Sequence, residues 1–266
     1  MKCWIRLILI SAAFFAVSDA AVILSDTFDR GAVGANDNAL GGTITQNYIS
    51  GGDATRSVGI SSNELALSVS AGTAWAMIDY DFNTNTDIVN AGGFTVQFDM
   101  DSLPVGGGSY AGDPWVAFAL GLPQLATSTS FAVVNAGTSM GSVYKPTQDG
   151  SLATRVNGVV QSPFATVATT GTYTFLYTVT SNDFSQDGSA TVSLKVNGLD
   201  VALGDAGALS NEFTWESDNN YLYLESRVGG TFDNLIVSTI PEPQSFTLIA
   251  LAGSALILMG AFRSRK

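Results

Sequence analysis

Carboxylates are the groups in this chain best placed to do chemistry. The 266 residues include no histidine, and the one cysteine is Cys3. That rules out Ser-His-Asp and Cys-His nucleophilic catalysis, and zinc sites built on imidazole. Two stretches set a pair of acids on one strand face: Asp79-Tyr80-Asp81 and Asp99-Met100-Asp101. Each pair lies on the face opposite its apolar neighbours, which is where solvated outer-face charges belong. A glycosidase on such a scaffold needs two carboxylates facing each other across a groove, roughly 5–10 Å apart. Neither pair contains a glutamate, so no enzyme is expected; a glycan-degrading hydrolase is the alternative. Asp183-Phe184-Ser185-Gln186-Asp187-Gly188 carries oxygen ligands at alternate positions before a turn glycine. This is how a calcium loop begins, but its twelfth position is Leu194 rather than a bidentate glutamate, which excludes the helix-loop-helix version. Asp183 and Asp187 remain candidate calcium ligands, while an Asp- and Gly-rich hairpin turn would use the same letters for steric reasons.

Aromatic rings are the other groups with a use, since sugars stack on exposed tryptophan. Beyond Trp4, the chain has Trp75, Trp115 and Trp215. Trp115 follows Gly112-Asp113-Pro114 and the glycines at 106–108, which makes it the candidate glycan contact. Trp75 and Trp215 suit a core or a strand edge equally well.

The elements that must position these groups read as β almost throughout. In residues 171–180, Tyr173, Phe175, Tyr177 and Val179 share one face and threonines occupy most of the other, the period of two of a half-buried strand. Phe94, Val96, Phe98 and Met100 alternate with Thr95, Gln97 and Asp99. Leu65, Leu67 and Val69 repeat the pattern, as do Val192, Leu194 and Val196, and Ile78, Tyr80 and Phe82. Asn157-Gly158 and Asn197-Gly198 predict tight hairpins that need positive φ. No segment of the body sustains a helical period. A dozen or so short strands with frequent turns predict an all-β, two-sheet antiparallel sandwich in one domain, residues 21–240. Between Ala21 and Ile240 six basic residues face 21 acidic ones, a net charge of −15. Such a surface repels nucleic acid and anionic lipid, so neither is expected as a direct partner.

The domain opens with Asp26-Thr27-Phe28-Asp29-Arg30, carries Lys195-Val196-Asn197-Gly198 near its end and closes with Phe232-Asp233-Asn234-Leu235-Ile236-Val237. These strings resemble the concanavalin A-like, laminin G-like jelly rolls. The resemblance implies a jelly-roll sandwich whose first and last strands pair. It covers lectins, glycosidases and plain adhesive domains alike, so it selects no activity. One jelly-roll glycosidase pattern, Glu-x-Asp-x-x-Glu, is absent. In sandwich glycan-binding modules a structural calcium can sit near the paired terminal strands, which by analogy makes Asp26 and Asp233 a candidate metal pair. No other cofactor is implied.

The two ends read as addresses. Lys2 and Arg6, an 11-residue apolar stretch from Leu7 to Val17, and Ser18-Asp19-Ala20 predict a signal peptide over residues 1–20, cut between Ala20 and Ala21. Cleavage would remove the only cysteine, and Cys3 lies before the apolar run, where no lipobox could use it. At the other end, Phe246 to Phe262 gives 17 uncharged residues. As a helix they reach roughly 25 Å, close to a bilayer's apolar thickness. Arg263, Arg265 and Lys266 would hold the far end in the cytoplasm. With Pro241-Glu242-Pro243 just before it, the segment 241–266 resembles the PEP-CTERM sorting signal of Gram-negative bacteria. That resemblance implies recognition of Pro241, Glu242 and Pro243 by an exosortase, a transient stay in the inner membrane and delivery to the cell surface or extracellular matrix, where such proteins associate with exopolysaccharide and biofilm. The expected protein is a structural, adhesive or polysaccharide-associated one; a permanently anchored periplasmic domain is the alternative.

Overall fold

The structure, a computed structural model, describes residues 20–29, 48–51, 56–69, 73–78, 82–102, 115–122, 142–146, 151–156, 159–160, 165–166, 170–203, 207–218, 221–227 and 230–241. In chain order its strands are β1 (Val22–Asp26), β2 (Tyr48–Gly51), β3 (Arg56–Ser61), β4 (Glu64–Val69), β5 (Thr73–Ile78), β6 (Gly93–Ser102), β7 (Trp115–Leu122), β8 (Ser142–Pro146) and β9 (Ser151–Val156). They continue with β10 (Val159–Val160), β11 (Ala165–Thr166), β12 (Gly171–Ser181), β13 (Gly188–Val196), β14 (Leu199–Val201), β15 (Ser210–Trp215), β16 (Tyr221–Arg227) and β17 (Gly230–Thr239).

All pairings are antiparallel, and they make two sheets. The first runs β14-β13-β12-β6-β17-β4-β3, with β1 beside β17 and β15 beside β13. The second runs β10-β9-β8-β7-β16-β5-β2, with β11 beside β9. The expected all-β, two-sheet antiparallel sandwich is thus what the chain forms, and its first and last strands pair.

Alternation in the first sheet decides what faces inward. In β12, Tyr173, Phe175 and Tyr177 are buried while Thr174 and Leu176 between them are half-exposed. Phe98 of β6 and Phe175 of β12 reach across to Phe118 of β7, with ring centroids 5.4 and 4.7 Å apart. These three rings join the two sheets, and each buried side chain of this size contributes roughly 1.5–3 kcal/mol. At one end of the core Phe94 contacts Tyr177 and Phe184 at 5.1 and 5.0 Å. Phe184 in turn meets Trp215 at 4.9 Å, and the Trp215 Nε1–H donates to the Phe184 carbonyl at 2.9 Å. Trp215 is therefore a core residue.

The turns follow backbone need. Asn197 and Gly198 sit at φ 50° and 79°, as the two-residue hairpin between Val196 and Leu199 requires. Val156 pairs with Val159, but Asn157-Gly158 itself lies outside the described residues. A third such hairpin, Ser62-Asn63 at φ 56° and 64°, joins β3 to β4 without any glycine.

One expectation fails. The alternation Ile78-Tyr80-Phe82 predicts a strand, yet β5 ends at Ile78 and Phe82–Thr84 is a 3-10 turn leading into a short helix, α1 (Thr86–Ala91). Local capping wins over pattern here. Asn85 Oδ1 accepts the Ile88 N–H at 2.9 Å, and Gly92 closes the helix at φ 65° with its N–H on the Ile88 and Val89 carbonyls. Six residues are too few to display a helical period.

Residues Ala21–Ile240 form one compact unit. The predicted signal peptide up to Asp19, Glu242 and Pro243, the apolar run Phe246 to Phe262 and the basic residues Arg263, Arg265 and Lys266 lie outside the described residues.

Candidate functional site

Four places carry the polar and aromatic groups that could act. The first is where the chain enters and leaves the sandwich. The Ala21 N–H donates to Thr239 Oγ1 at 2.9 Å, and the Thr239 N–H donates to the Ala21 carbonyl at 2.9 Å. One residue on, the Ile240 N–H donates to the Gly93 carbonyl at 3.1 Å. Ala20 and Pro241, flanking this closure, are both exposed. The two ends of the sandwich, Ala21 and Thr239, are therefore joined where β1 pairs with β17.

The second place is an acidic strip on the outer face of the first sheet. Asp99 of β6 lies directly opposite Asp233 of β17. Asp99 accepts from Thr172 Oγ1 at 2.6 Å and from Asn234 Nδ2 at 2.8 Å. Asn234 occupies a bulge at φ 49°, and its N–H donates to Asp233 Oδ1 at 2.7 Å. Partial burial, then the charges of Glu64, Asp99 and Asp233, push the Asp101 carboxyl up from its ordinary value. Asp233 is also pushed up, first by burial, although its bond from Asn234 acts the other way; Asp99, Glu64 and Asp29 add to the rise. Asp99 and Asp101 are outer-face charges, as their alternation implies. The Asp79-Tyr80-Asp81 pair lies outside the described residues.

Asp26 does not join this strip. It is opposite Leu235, on the side of the strand that carries Leu24 and faces the core, and it is fully buried. Its Oδ1 accepts the Phe28 N–H at 2.8 Å, which holds Phe28 at φ 53°. Asp26 and Asp233 therefore face opposite sides of the sheet and do not fit a shared ion: the register that pairs β1 with β17 separates them.

The third place is the Asp183–Gly188 loop. Asp183 Oδ1 accepts the N–H and the hydroxyl of Ser185. Asp187 Oδ1 accepts the Ser217 N–H at 2.8 Å and its hydroxyl at 2.9 Å, and those bonds hold the Asp187 carboxyl below the usual range. Each carboxylate thus serves a turn or a neighbouring loop, as a steric reading of Asp and Gly at these positions implies. Among the described residues no three acids, histidines or cysteines are grouped so as to hold a metal ion.

The fourth place has no counterpart in the motifs. On the second sheet, Val116, Phe118, Leu120, Ala76, Leu222 and Leu224 belong to the shared core. The residues that alternate with them point to the other face, and they too are buried: Trp75, Met77, Ala117, Ala119, Tyr223 and Glu225. Trp75 meets Tyr223 edge-on at 5.5 Å, and the Tyr223 hydroxyl donates to Met77 Sδ at 2.9 Å. Glu225 is 1 % exposed and lies directly opposite Trp75 and Ala117. A signal for this face is present in the sequence: Trp115–Leu122 and Tyr221–Leu224 are continuous apolar runs rather than alternating ones, which marks strands buried on both sides. Trp115, the candidate glycan contact, is the first residue of β7, opposite Arg227; its side chain lies outside the described set.

No family model matches the chain, and no curated protein matches it. Solved structures similar to it include the metal-free Emp46p carbohydrate recognition domain, at 9% identity, TM-score 0.44, covering 71% of this chain and 87% of that one. The VIP36 exoplasmic/lumenal domain in its Ca2+/Man-bound form is similar at 8% identity and TM-score 0.42, covering 79% and 90%. Lectin II from Ulex europaeus is similar at 12% identity and TM-score 0.41, covering 83% and 100%. Likeness this distant says nothing of what the present chain binds.

Proposed function

We propose that this chain is an exported β-sandwich, delivered to the cell surface or extracellular matrix through its C-terminal segment, and that its role there is structural, adhesive or polysaccharide-associated rather than catalytic. The observation that carries this reading is the closure of the domain on itself. Ala21 and Thr239 exchange two hydrogen bonds, and every described strand lies between them. Removing residues 1–20 and a segment beginning at Pro241 would leave every strand pairing in place. That suits a protein trimmed at both ends, with an exosortase-type protease as the processing partner and the membrane as a temporary one. Among the described strands of the second sheet the acidic residue is Glu225, and the hydrolase alternative would need a second carboxylate facing it.

The test is processing in cells. Intact protein mass and N-terminal sequencing should give a mature chain that starts at Ala21 and ends near the motif. Replacing Pro241, Glu242 and Pro243 by alanine should trap full-length chain in the membrane fraction. Retention of the intact chain in the membrane in both versions would instead establish a permanent anchor. A glycan array with a matrix pull-down that yields no saccharide would remove the polysaccharide part and leave the structural one.

A further inference from the structure

The sandwich and the sorting motif have no spacer between them. β17 is paired on both sides up to its end, with Ser238 opposite Val22 of β1 and Thr239 opposite Phe94 of β6. Thr239 is buried to 6 % exposure and bonded to Ala21 in both directions, and Ile240 is tied by its N–H to Gly93. Ile240 also packs onto that glycine: a Cβ there would lie 2.5 Å from Ile240 Cδ1 and 2.8 Å from the Tyr177 carbonyl. Pro241 is the next residue. Between Ile240 and the apolar run that starts at Phe246 there are only five residues, Pro241 to Ser245, which reach about 18 Å when fully extended.

A peptide-cleaving enzyme binds its substrate as an extended strand, using main-chain donors and acceptors on both sides of the scissile amide. Ser238 and Thr239 are paired with β1 and β6, the Thr239 N–H is given to Ala21, and the Ile240 N–H is given to Gly93. We propose that the sandwich itself regulates its own processing: the end of β17 must leave Ala21 and Gly93 before the motif can seat in the processing enzyme. The Ala21–Thr239–Gly93 lock then sets how fast the chain is released. The inference rests on the sorting reading above. Chemically the step is ordinary acyl transfer by the enzyme's thiolate. The amide at the motif breaks, the leaving nitrogen takes a proton, and the acyl group passes to water or to an acceptor amine. What the lock controls is access. Three terminal hydrogen bonds are a small local opening, so the lock slows processing without preventing it.

The experiment is a pulse-chase of the full chain in its exporting host, following conversion from full length to processed protein. Inserting Gly-Ser-Gly-Ser between Ile240 and Pro241 leaves every sandwich residue unchanged and supplies a free extended stretch. Conversion should quicken roughly tenfold, the population change expected for a few net hydrogen bonds. Thr239→Val removes the acceptor for the Ala21 N–H and should quicken it roughly threefold. An insertion that leaves the rate unchanged, or lowers it, while the Pro241-Glu242-Pro243 alanine triplet abolishes conversion overturns the lock but keeps the sorting reading. An alanine triplet that converts at the normal rate overturns both.

Discussion

The two sheets of this sandwich bury different amounts of themselves. In the first, β12 buries Tyr173, Phe175 and Tyr177 and turns Thr172, Thr174 and Thr178 outward, half-exposed. In the second, Val116 to Leu122 of β7 are all buried, and so are Leu222 to Ser226 of β16. One sheet is a boundary between core and water; the other is buried on both faces at its centre. The difference places the chain's tolerance to change. Polar outer-face positions of the first sheet are spare, whereas no described position at the centre of the second is.

Substitutions should rank accordingly in denaturant unfolding of the purified protein. Phe118→Ala, at the junction of the two sheets, should cost about 3–5 kcal/mol, the usual loss for a buried aromatic. Trp75→Ala, on the far face of the second sheet, should cost about as much. A loss under about 1 kcal/mol would collapse the distinction between the sheets, because a solvated face gives that result. Asp26→Ala leaves the Phe28 N–H without its acceptor in a buried turn and should cost about 1–3 kcal/mol. Thr174→Val, on the outer face of the first sheet, should stay within about 0.5 kcal/mol. Smallest is the exposed Lys195–Asp200 pair, 3.0 Å apart, whose loss in Lys195→Met should barely register.

The acidic strip adds a pH signature to the first sheet. The carboxyls of Asp101 and Asp233 are raised in the folded chain, so the folded state holds protons that the unfolded state has released. Their contribution is fully present below the unfolded value of about 3.9 and is lost as pH rises through the raised folded values. Asp187, held low by Ser217, acts with the opposite sign and loses its contribution as pH falls. Asp99→Asn should bring the NMR-monitored titrations of Asp101 and Asp233 down toward ordinary aspartate and flatten the fall in stability above pH 4. Titrations that do not move would mean that burial and the charge of Glu64, rather than Asp99, raise them.

Much of this was legible in the residues. Tyr173-Phe175-Tyr177 and Phe94-Val96-Phe98 announce their strands because a half-buried strand must alternate. Asn197-Gly198 announces its hairpin because only such residues accept two positive φ values cheaply. Ser62-Asn63 makes the same turn without a glycine and is silent. Helix α1 is hidden because capping by Asn85 and Gly92 leaves no periodic trace in six residues. Asp26 and Asp233 look alike as letters near paired strands, and only the register shows that they face opposite ways. Glu225 went unmarked, and its pairing with Trp75 unseen, for a related reason. A carboxylate and a ring set opposite each other by strand pairing lie 150 residues apart in the chain.

The strand order of the first sheet has a consequence in time. β17, the last strand made, lies between β6 and β4, and it carries β1 as well. A chain that emerges N-terminus first can pair β6 with β12 and β13 early. The β3–β4 hairpin lacks its neighbour, and β1 its partner, until β17 has emerged, with about 200 residues still to come after β1. Contacts this distant in sequence fold slowly and leave strand edges open meanwhile. The hairpin Arg56–Val69 and the strand Val22–Asp26 are thus the segments a holding chaperone would find exposed, until the emergence of β17 ends the wait.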